Sequence, residues 1–297
     1  MADPLFSVVI PTHGRPEPLE EALKSVFAQS VDDFEVVVVD DASPTPVDVG
    51  EDPRVQVVRR ETNGGPGAAR NTGIESARGR LVCFLDDDDL YTPDRLEMAA
   101  SFPFSVCSVR RGLNGRQITP PDSIHHFLEE MVPVMGQVTV RRDVCPRFDE
   151  RLRSGDEDSE WWIRATSSLG QPTILREAGY ISRSGKSGWR SSSDAIDARL
   201  LVLRKHPAYF REHPWAAARY WQLIGIEAVR DGRLWLGATS VARSLAIRPH
   251  PRNVANLFAL VSRSRRVIHA QTRVARSWRA IRRPRTSTRA PTHRPQA

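Results

Sequence analysis

LVCFLDDDDLYTPDRL, at residues 81–96, opens with five apolar residues and then breaks into four aspartates. An apolar run without polar alternation marks a strand covered on both faces, as in a parallel sheet. Asp86, Asp87, Asp88 and Asp89 end it abruptly. Thr92-Pro93-Asp94 then predicts a helix start, with Thr92 as N-cap and Pro93 at the first helical position.

Upstream, FSVVI at 6–10 is another short apolar run, closed by Pro11. Within 18–29, Leu19, Ala22, Leu23, Val26 and Phe27 share one helical face. FEVVVVDDAS at 34–43 is too apolar for a half-exposed strand and predicts a central one. Residues 54–60 read as a further strand, and NGGPGAARNTGIESARG at 63–79 as a Gly-rich loop running into a helix. Strands alternating with helices predict an α/β fold, a parallel sheet with right-handed crossovers.

Downstream the pattern is more mixed. Strands are expected at 104–110 and 136–144 around a helical stretch at 123–131, then a helix at 156–169 and a strand at 172–182. SRSGKSGWRSSSD at 182–194 reads as a loop, and 195–261 as helical throughout. There Leu200, Leu201, Leu203, Trp221, Leu223, Ile224, Leu234, Trp235 and Leu236 offer apolar surface for docking.

The 297 residues are 40% hydrophobic and 27% charged, the balance of a globular chain with one large domain or two ordinary ones. No apolar run approaches the roughly 20 residues of a membrane-spanning helix. MADPLFSVVIPT lacks the basic region and apolar core of a signal peptide. Cys83, Cys107 and Cys145 form no CxxC pair, which argues against a disulfide framework and fits a reducing cytoplasm. Residues 261–297 hold eleven Arg and no acid, so a net +7 becomes −4 for the rest. A mildly acidic body without an aromatic-studded basic groove does not read as a nucleic-acid binder.

In an open α/β sheet, ligands bind beyond the carboxyl ends of the strands. Three features fall there: Pro11-Thr12-His13-Gly14-Arg15, Asp40-Asp41, and the four aspartates 86–89. One acidic strand end means little, because Asp is common in turns. Four adjacent carboxylates repel one another, and a divalent cation relieves that best; their hard oxygens suit Mn2+ or Mg2+. A solvated acidic turn is the plain alternative. No GxGxxG follows the first strand, which disfavours a Rossmann dehydrogenase.

The pieces SVVIPTHGR, SVFAQS, VVVVDDAS, GGPGAARNTGI, FLDDDDLYTPDRL and, at 147–164, RFDERLRSGDEDSEWWIR follow in one order. In that order and spacing the chain resembles the family 2 glycosyltransferases of the GT-A fold, from residue 6 to about 165. The resemblance implies a GT-A domain, Rossmann-like and built for nucleotide-diphospho-sugars, over 1–194. A C-terminal helical lobe at 195–262 and an Arg-rich, partly disordered tail at 263–297 complete the expected layout. It further implies a metal-dependent, inverting transfer from a nucleotide-diphosphate sugar to a glycan or lipid-linked acceptor of bacterial cell-envelope type. The alternative is an inactive nucleotide-sugar-binding protein tethered by its tail. His13-Gly14 replaces the family's usual aromatic-Asn pair, and the Gln-x-x-Arg-Trp motif of processive synthases is missing.

By the same resemblance, Pro11, Thr12 and Arg15 would line the donor pocket. Asp41, with Asp40 nearby, would accept an N–H of the base. Arg70 would neutralise diphosphate charge. Asp88 would bind Mn2+ or Mg2+, Asp86 or Asp87 would reach the ribose, and Asp89 would cap or stay solvated. Asp158 would be the base, with Glu157 beside it, although acids in a first helical turn also simply suit the helix dipole. Trp161 or Trp162 would stack on an acceptor sugar, unless they are core. In the tail, Val267, Ala270, Val274, Trp278 and Ile281 recur at helical spacing among arginines. Such a helix can lie on an anionic membrane, which would place a cytoplasmic protein peripherally on the inner face of the plasma membrane.

Overall fold

Strand β1 (Phe6–Thr12) lies between two parallel neighbours in the computed structural model, which describes residues 3–123, 134–153, 155–183 and 192–249. β2 (Phe34–Asp40) pairs with it from Phe6↔Phe34 to Thr12↔Asp40. β4 (Leu81–Phe84) pairs on its other side, with Val9 opposite Phe84. β3 (Val55–Arg59) lies parallel to β2. Shared direction and register bring Thr12, Asp40 and the aspartates after Phe84 out at one edge. Helices α1 (Pro16–Phe27) and α2 (Pro66–Ser76) are crossovers between these strands.

The apolar runs lack alternation because both sheet faces are covered. Val8, Ile10, Val36, Val38 and Cys83 pack with Leu19, Ala22, Leu23 and Val26 of α1. Val9, Val37, Val39, Val82 and Phe84 pack with Ala69 and Ile74 of α2. At Gly73 the α2 backbone rides directly on β1: an added Cβ would lie 2.2 Å from Val9 Cγ1.

The parallel part read from the first hundred residues is β3-β2-β1-β4, and beyond β4 the sheet turns mixed. The remaining strands are β5 (Leu90–Tyr91), β6 (Phe104–Arg111), β7 (Gln117–Ile118), β8 (Val138–Arg141) and β9 (Thr173–Ser182). β8 runs antiparallel to both β4 and β6, β9 parallel to β6, and β5 antiparallel to β9. The order is β3-β2-β1-β4-β8-β6-β9-β5, with β7 on β6. The strand expected at 136–144 shrinks to four residues between two single 3-10 turns, Met135–Gln137 and Arg142–Val144.

The helix after β4 starts later than the sequence suggests. Leu90 and Tyr91 join β9, and the Thr92 hydroxyl donates to Ala178 O at 3.0 Å instead of capping. Helix α3 (Arg95–Ala99) therefore has Asp94 in the N-cap position. The helical stretch expected at 123–131 falls, apart from its first residue, outside the described residues.

After α4 (Glu157–Leu169) and β9 come α5 (Ser192–Lys205), α6 (Pro207–Glu212), α7 (Pro214–Arg230) and α8 (Leu234–Ile247). Ala198, Val202, Tyr209, Phe210, Ala216, Ala217 and Tyr220 share one core cluster with Val9, Phe84, Trp161 and Trp162. The lobe is thus continuous with the core on one face of the sheet. Two of the residues expected to pack on the sheet domain or on a second subunit do not pack within this chain: Leu234 is 47% exposed and Trp235 81%. Among the described residues no helix is long and apolar enough to cross a membrane. The amphipathic tail pattern at 267–281 lies outside the described residues.

Candidate active site

The four aspartates after β4 alternate in direction. Asp86 and Asp88 keep 30% and 27% of their side-chain surface open, whereas Asp87 keeps 1% and Asp89 is buried. Asp87 accepts the Thr12 hydroxyl at 2.7 Å and pairs with Arg15 at 3.0 Å. Burial nevertheless pushes its pKa up to about 6. Asp89, expected to cap or stay solvated, is buried and accepts the Tyr180 hydroxyl at 2.6 Å and the Arg183 N–H at 2.6 Å. Burial likewise raises it to about 6. The inward pair fastens the turn to β1 and β9, and the outward pair, Asp86 and Asp88, is left at the surface. Asp88 accepts from Arg15 at 2.9 Å.

Arg70, from the second turn of α2, joins separate parts of the chain. Its guanidinium donates to Asp86 at 2.8 Å and to Asp158 at 3.0 Å, with Glu157 at 3.7 Å. Burial opposes its charge, but Asp158, Asp86 and Glu157 outweigh that and raise its pKa. Its fork geometry suits two carboxylates at once, which a lysine would not. The side chain is 4% exposed, so this is no solvated helix arginine.

The two aspartates after β2 differ in use. Asp40 is fully buried and accepts the N–H of Ser43 at 2.8 Å and of Val47 at 3.3 Å, with Arg59 as ion partner. It builds its own loop, which removes it from the donor-binding set. Asp41 accepts the N–H groups of Gly64 and Gly65, at 3.0 and 2.8 Å, and pairs with Arg60 at 2.8 Å. It thereby ties the Gly-rich loop to the end of β2, and an N–H from a base would add to these donors. His13 Nδ1 sits 2.9 Å from Asp41 O, and Gly14 N–H donates to Ser43 Oγ at 2.8 Å.

Helix α4 begins at Glu157 after Asp156, which holds the left-handed conformation at φ 62°. Asp158 keeps a quarter of its side chain open, while Glu157 is nearly buried. Trp161 and Trp162 are both fully buried, and Trp161 Nε1 donates to Pro146 O at 2.7 Å. Rings without open surface cannot stack on a sugar, so the acceptor role expected for them is withdrawn.

Several residues at the site escaped the sequence. Tyr180 and Arg183 hold Asp89, and Arg183 Nε also donates to Asp88 O at 2.9 Å. Arg59 and Arg60 neutralise Asp40 and Asp41. Asn71 clamps Phe148, donating to its carbonyl at 3.0 Å and accepting its N–H at 2.7 Å. Their partners lie far off along the chain, Arg59 being 19 residues from Asp40 and Tyr180 91 from Asp89, so no local pattern announced them.

Among the described residues no group of three His, Cys, Asp or Glu side chains could hold a metal ion unaided. The donors present still suit a shared site. Mg2+-type ions are commonly held by one or two carboxylates, with substrate phosphates and water completing the shell. Asp88 and Asp86, hard oxygen donors with open surface, fit that arrangement rather than a closed protein cage.

A parallel β3-β2-β1-β4 half, an antiparallel extension and an acidic turn at the strand ends define the GT-A class. Residues 7–102 match the family model described as Glycosyl transferase family 2. A Bacillus subtilis glycosyltransferase named for teichuronic acid biosynthesis, TuaG, is 38% identical over 243 residues, 73% of this chain and 94% of that protein. ExoW of Rhizobium meliloti, named for succinoglycan biosynthesis, is 46% identical over 100 residues, which span 31% of each chain. The chain belongs to glycosyl transferase family 2. Among solved structures, S. aureus TarS 1–349 in complex with UDP-GlcNAc superposes with a TM-score of 0.56 at 20% identity, covering 94% of this chain and 92% of that one. The mannosyltransferase PcManGT from Pyrobaculum calidifontis, in complex with GDP-Man and Mn2+, gives 0.52 at 19%, covering 95% and 84%. At such identities the likeness speaks for the fold.

Proposed function

We propose that this protein transfers a sugar from a nucleoside-diphosphate donor to an acceptor hydroxyl, inverting the anomeric centre. The observation that carries the reading is the Arg70 bridge. One guanidinium joins Asp86, beyond β4, to Asp158, at the start of α4, at 2.8 and 3.0 Å. Donor-side and acceptor-side carboxylates thus share one cation.

Asp158 takes the acceptor hydroxyl proton as that oxygen attacks the anomeric carbon from the face opposite the nucleotide. The bond to the departing diphosphate breaks in the same step. On this reading Arg70 neutralises diphosphate charge, and Arg15, paired with Asp88, offers a second cation. Asp86 or the turn around it receives the ribose, and Asp41 receives the base. Mn2+ or Mg2+, when bound by Asp88 together with the diphosphate, supplies charge stabilisation to the leaving group.

The donor class is supported by the UDP-GlcNAc and GDP-Man complexes of TarS and PcManGT. The acceptor class, a cell-envelope saccharide or its lipid-linked form, is supported by the names of TuaG and ExoW. Contact of the Arg-rich tail with an anionic membrane surface rests on its sequence alone. Sedimentation with anionic vesicles, at low and high salt, tests that contact: deletion of 263–297 should abolish the low-salt binding.

The decisive experiment uses UDP- and GDP-sugars with and without Mn2+. Asp88→Asn should weaken Mn2+-dependent donor binding, and Asp158→Asn should keep that binding but lose turnover. Near-normal turnover by Asp158→Asn, or donor affinity indifferent to Mn2+ in the wild type, overturns the respective assignment.

A further inference from the structure

Arg199 occupies a position where the helix pattern asks for an apolar residue. Ala195, Ile196, Ala198 and Val202 around it on α5 are buried, and Arg199 is buried with them, at 6% exposure. Its Nε lies 3.2 Å from Asp156 Oδ2, with both side chains at 10% exposure or less. Tyr220, from α7, lies close enough to feel both charges. A buried arginine costs much solvation, and one paired carboxylate inside the fold relieves it.

Asp156 is an unusual partner. It sits at φ 62°, ψ 4°, a left-handed conformation that disfavours residues with a Cβ. Its carbonyl accepts the Glu160 N–H at 3.0 Å and so closes the first turn of α4. Asp158 lies two residues on, in that same turn. The direction in which α4 launches Asp158 therefore depends on the angle held at Asp156.

We infer that Arg199 is a positioning residue: by anchoring Asp156 in the left-handed conformation, the helical lobe sets the geometry of Asp158. The inference rests on the reading of Asp158 as base. It also gives the lobe a part in the chemistry that its sequence does not announce.

Glycine adopts φ 62° without strain and needs no anchor. The test is a cycle of Arg199→Met, Asp156→Gly and the double variant, with Asp158→Asn alongside. UDP binding in the presence of Mn2+ and the kcat and KM of UDP-sugar hydrolysis are measured for each. Arg199→Met should lower kcat at least tenfold, with UDP affinity and KM within about twofold of wild type. Asp156→Gly alone should melt lower, because it leaves Arg199 buried without this carboxylate. The double variant should recover most of the lost kcat. Wild-type kcat in Arg199→Met, or a double variant no better than Arg199→Met, overturns the inference while leaving Asp158 as base. A fully active Asp158→Asn overturns both.

Discussion

At the scale of single residues, the carboxylates of the site are matched by arginines, except Asp89, which the Tyr180 hydroxyl and a backbone N–H hold. Asp86 and Asp158 share Arg70, Asp87 and Asp88 share Arg15, and Asp41 has Arg60. Lysine at position 70 would keep one charge but lose the fork that reaches two carboxylates. Hydrogen bonds to charged groups contribute about 1.5–3 kcal/mol each, so losing one corresponds to roughly 10- to 100-fold. Arg70→Lys should therefore reduce turnover by about that factor while the protein still melts cooperatively; unchanged kcat would remove Arg70 from the site. The aspartates were legible because four in a row after an apolar run have few structural uses. Arg199 was not, since a lone helix arginine in sequence looks like a solvated one. Trp161 and Trp162 misled for a related reason: adjacency to acids says nothing about which side of the helix meets the core.

At the scale of elements, α2 carries Arg70, and its contact with β1 fixes where Arg70 stands. That contact is close only because residue 73 is glycine, with Val9 Cγ1 2.2 Å from where a Cβ would go. Val9 is fully buried and has nowhere to retreat. Gly73→Val should cost about 1–3 kcal/mol by overpacking, and more if α2 shifts. A denaturant midpoint at the wild-type value would show that the two elements yield more easily than this. Of the parallel strands, β1, β2 and β4 could be read from sequence because each is an apolar run with both faces covered, while the edge strand β3 is half exposed. The antiparallel β8 could not be placed, because its slot between β4 and β6 is set by pairing across more than thirty residues of chain. The start of α3 slipped because Thr92 found a tertiary partner, Ala178 O, in place of a helix N–H.

At the scale of the whole molecule, the lobe and the sheet share a core, so they should melt together. Ending the chain at residue 194 would strip Val202, Phe210 and Tyr220 from the cluster containing Trp161 and Trp162. The truncated protein should lose its cooperative transition in calorimetry; a soluble, active 1–194 would show that the lobe is dispensable. The same junction should respond to acid. Glu160 is fully buried in α4 and faces Arg164, Lys205 at 2.6 Å and His206 at 3.0 Å, the last two from the end of α5 and just beyond it. Burial alone would raise its pKa, but hydrogen bonds from His206, Arg164 and Lys205 win and hold it at about 2, against 4.5 when unperturbed. Beside it, Asp149 is held well below the usual carboxylate range by Arg151, with Lys205 assisting. A carboxylate depressed in the folded state stabilises it fully above the unfolded pKa and loses that effect as pH falls through the folded one. For Glu160 the shift corresponds to roughly 3 kcal/mol, present above about pH 4.5 and fading towards pH 2. Glu160→Gln should therefore melt well below wild type at pH 7, and the two curves should converge between pH 4.5 and 2. A gap that stays constant across that window would mean that packing around the side chain, rather than its charge, joins the lobe to α4.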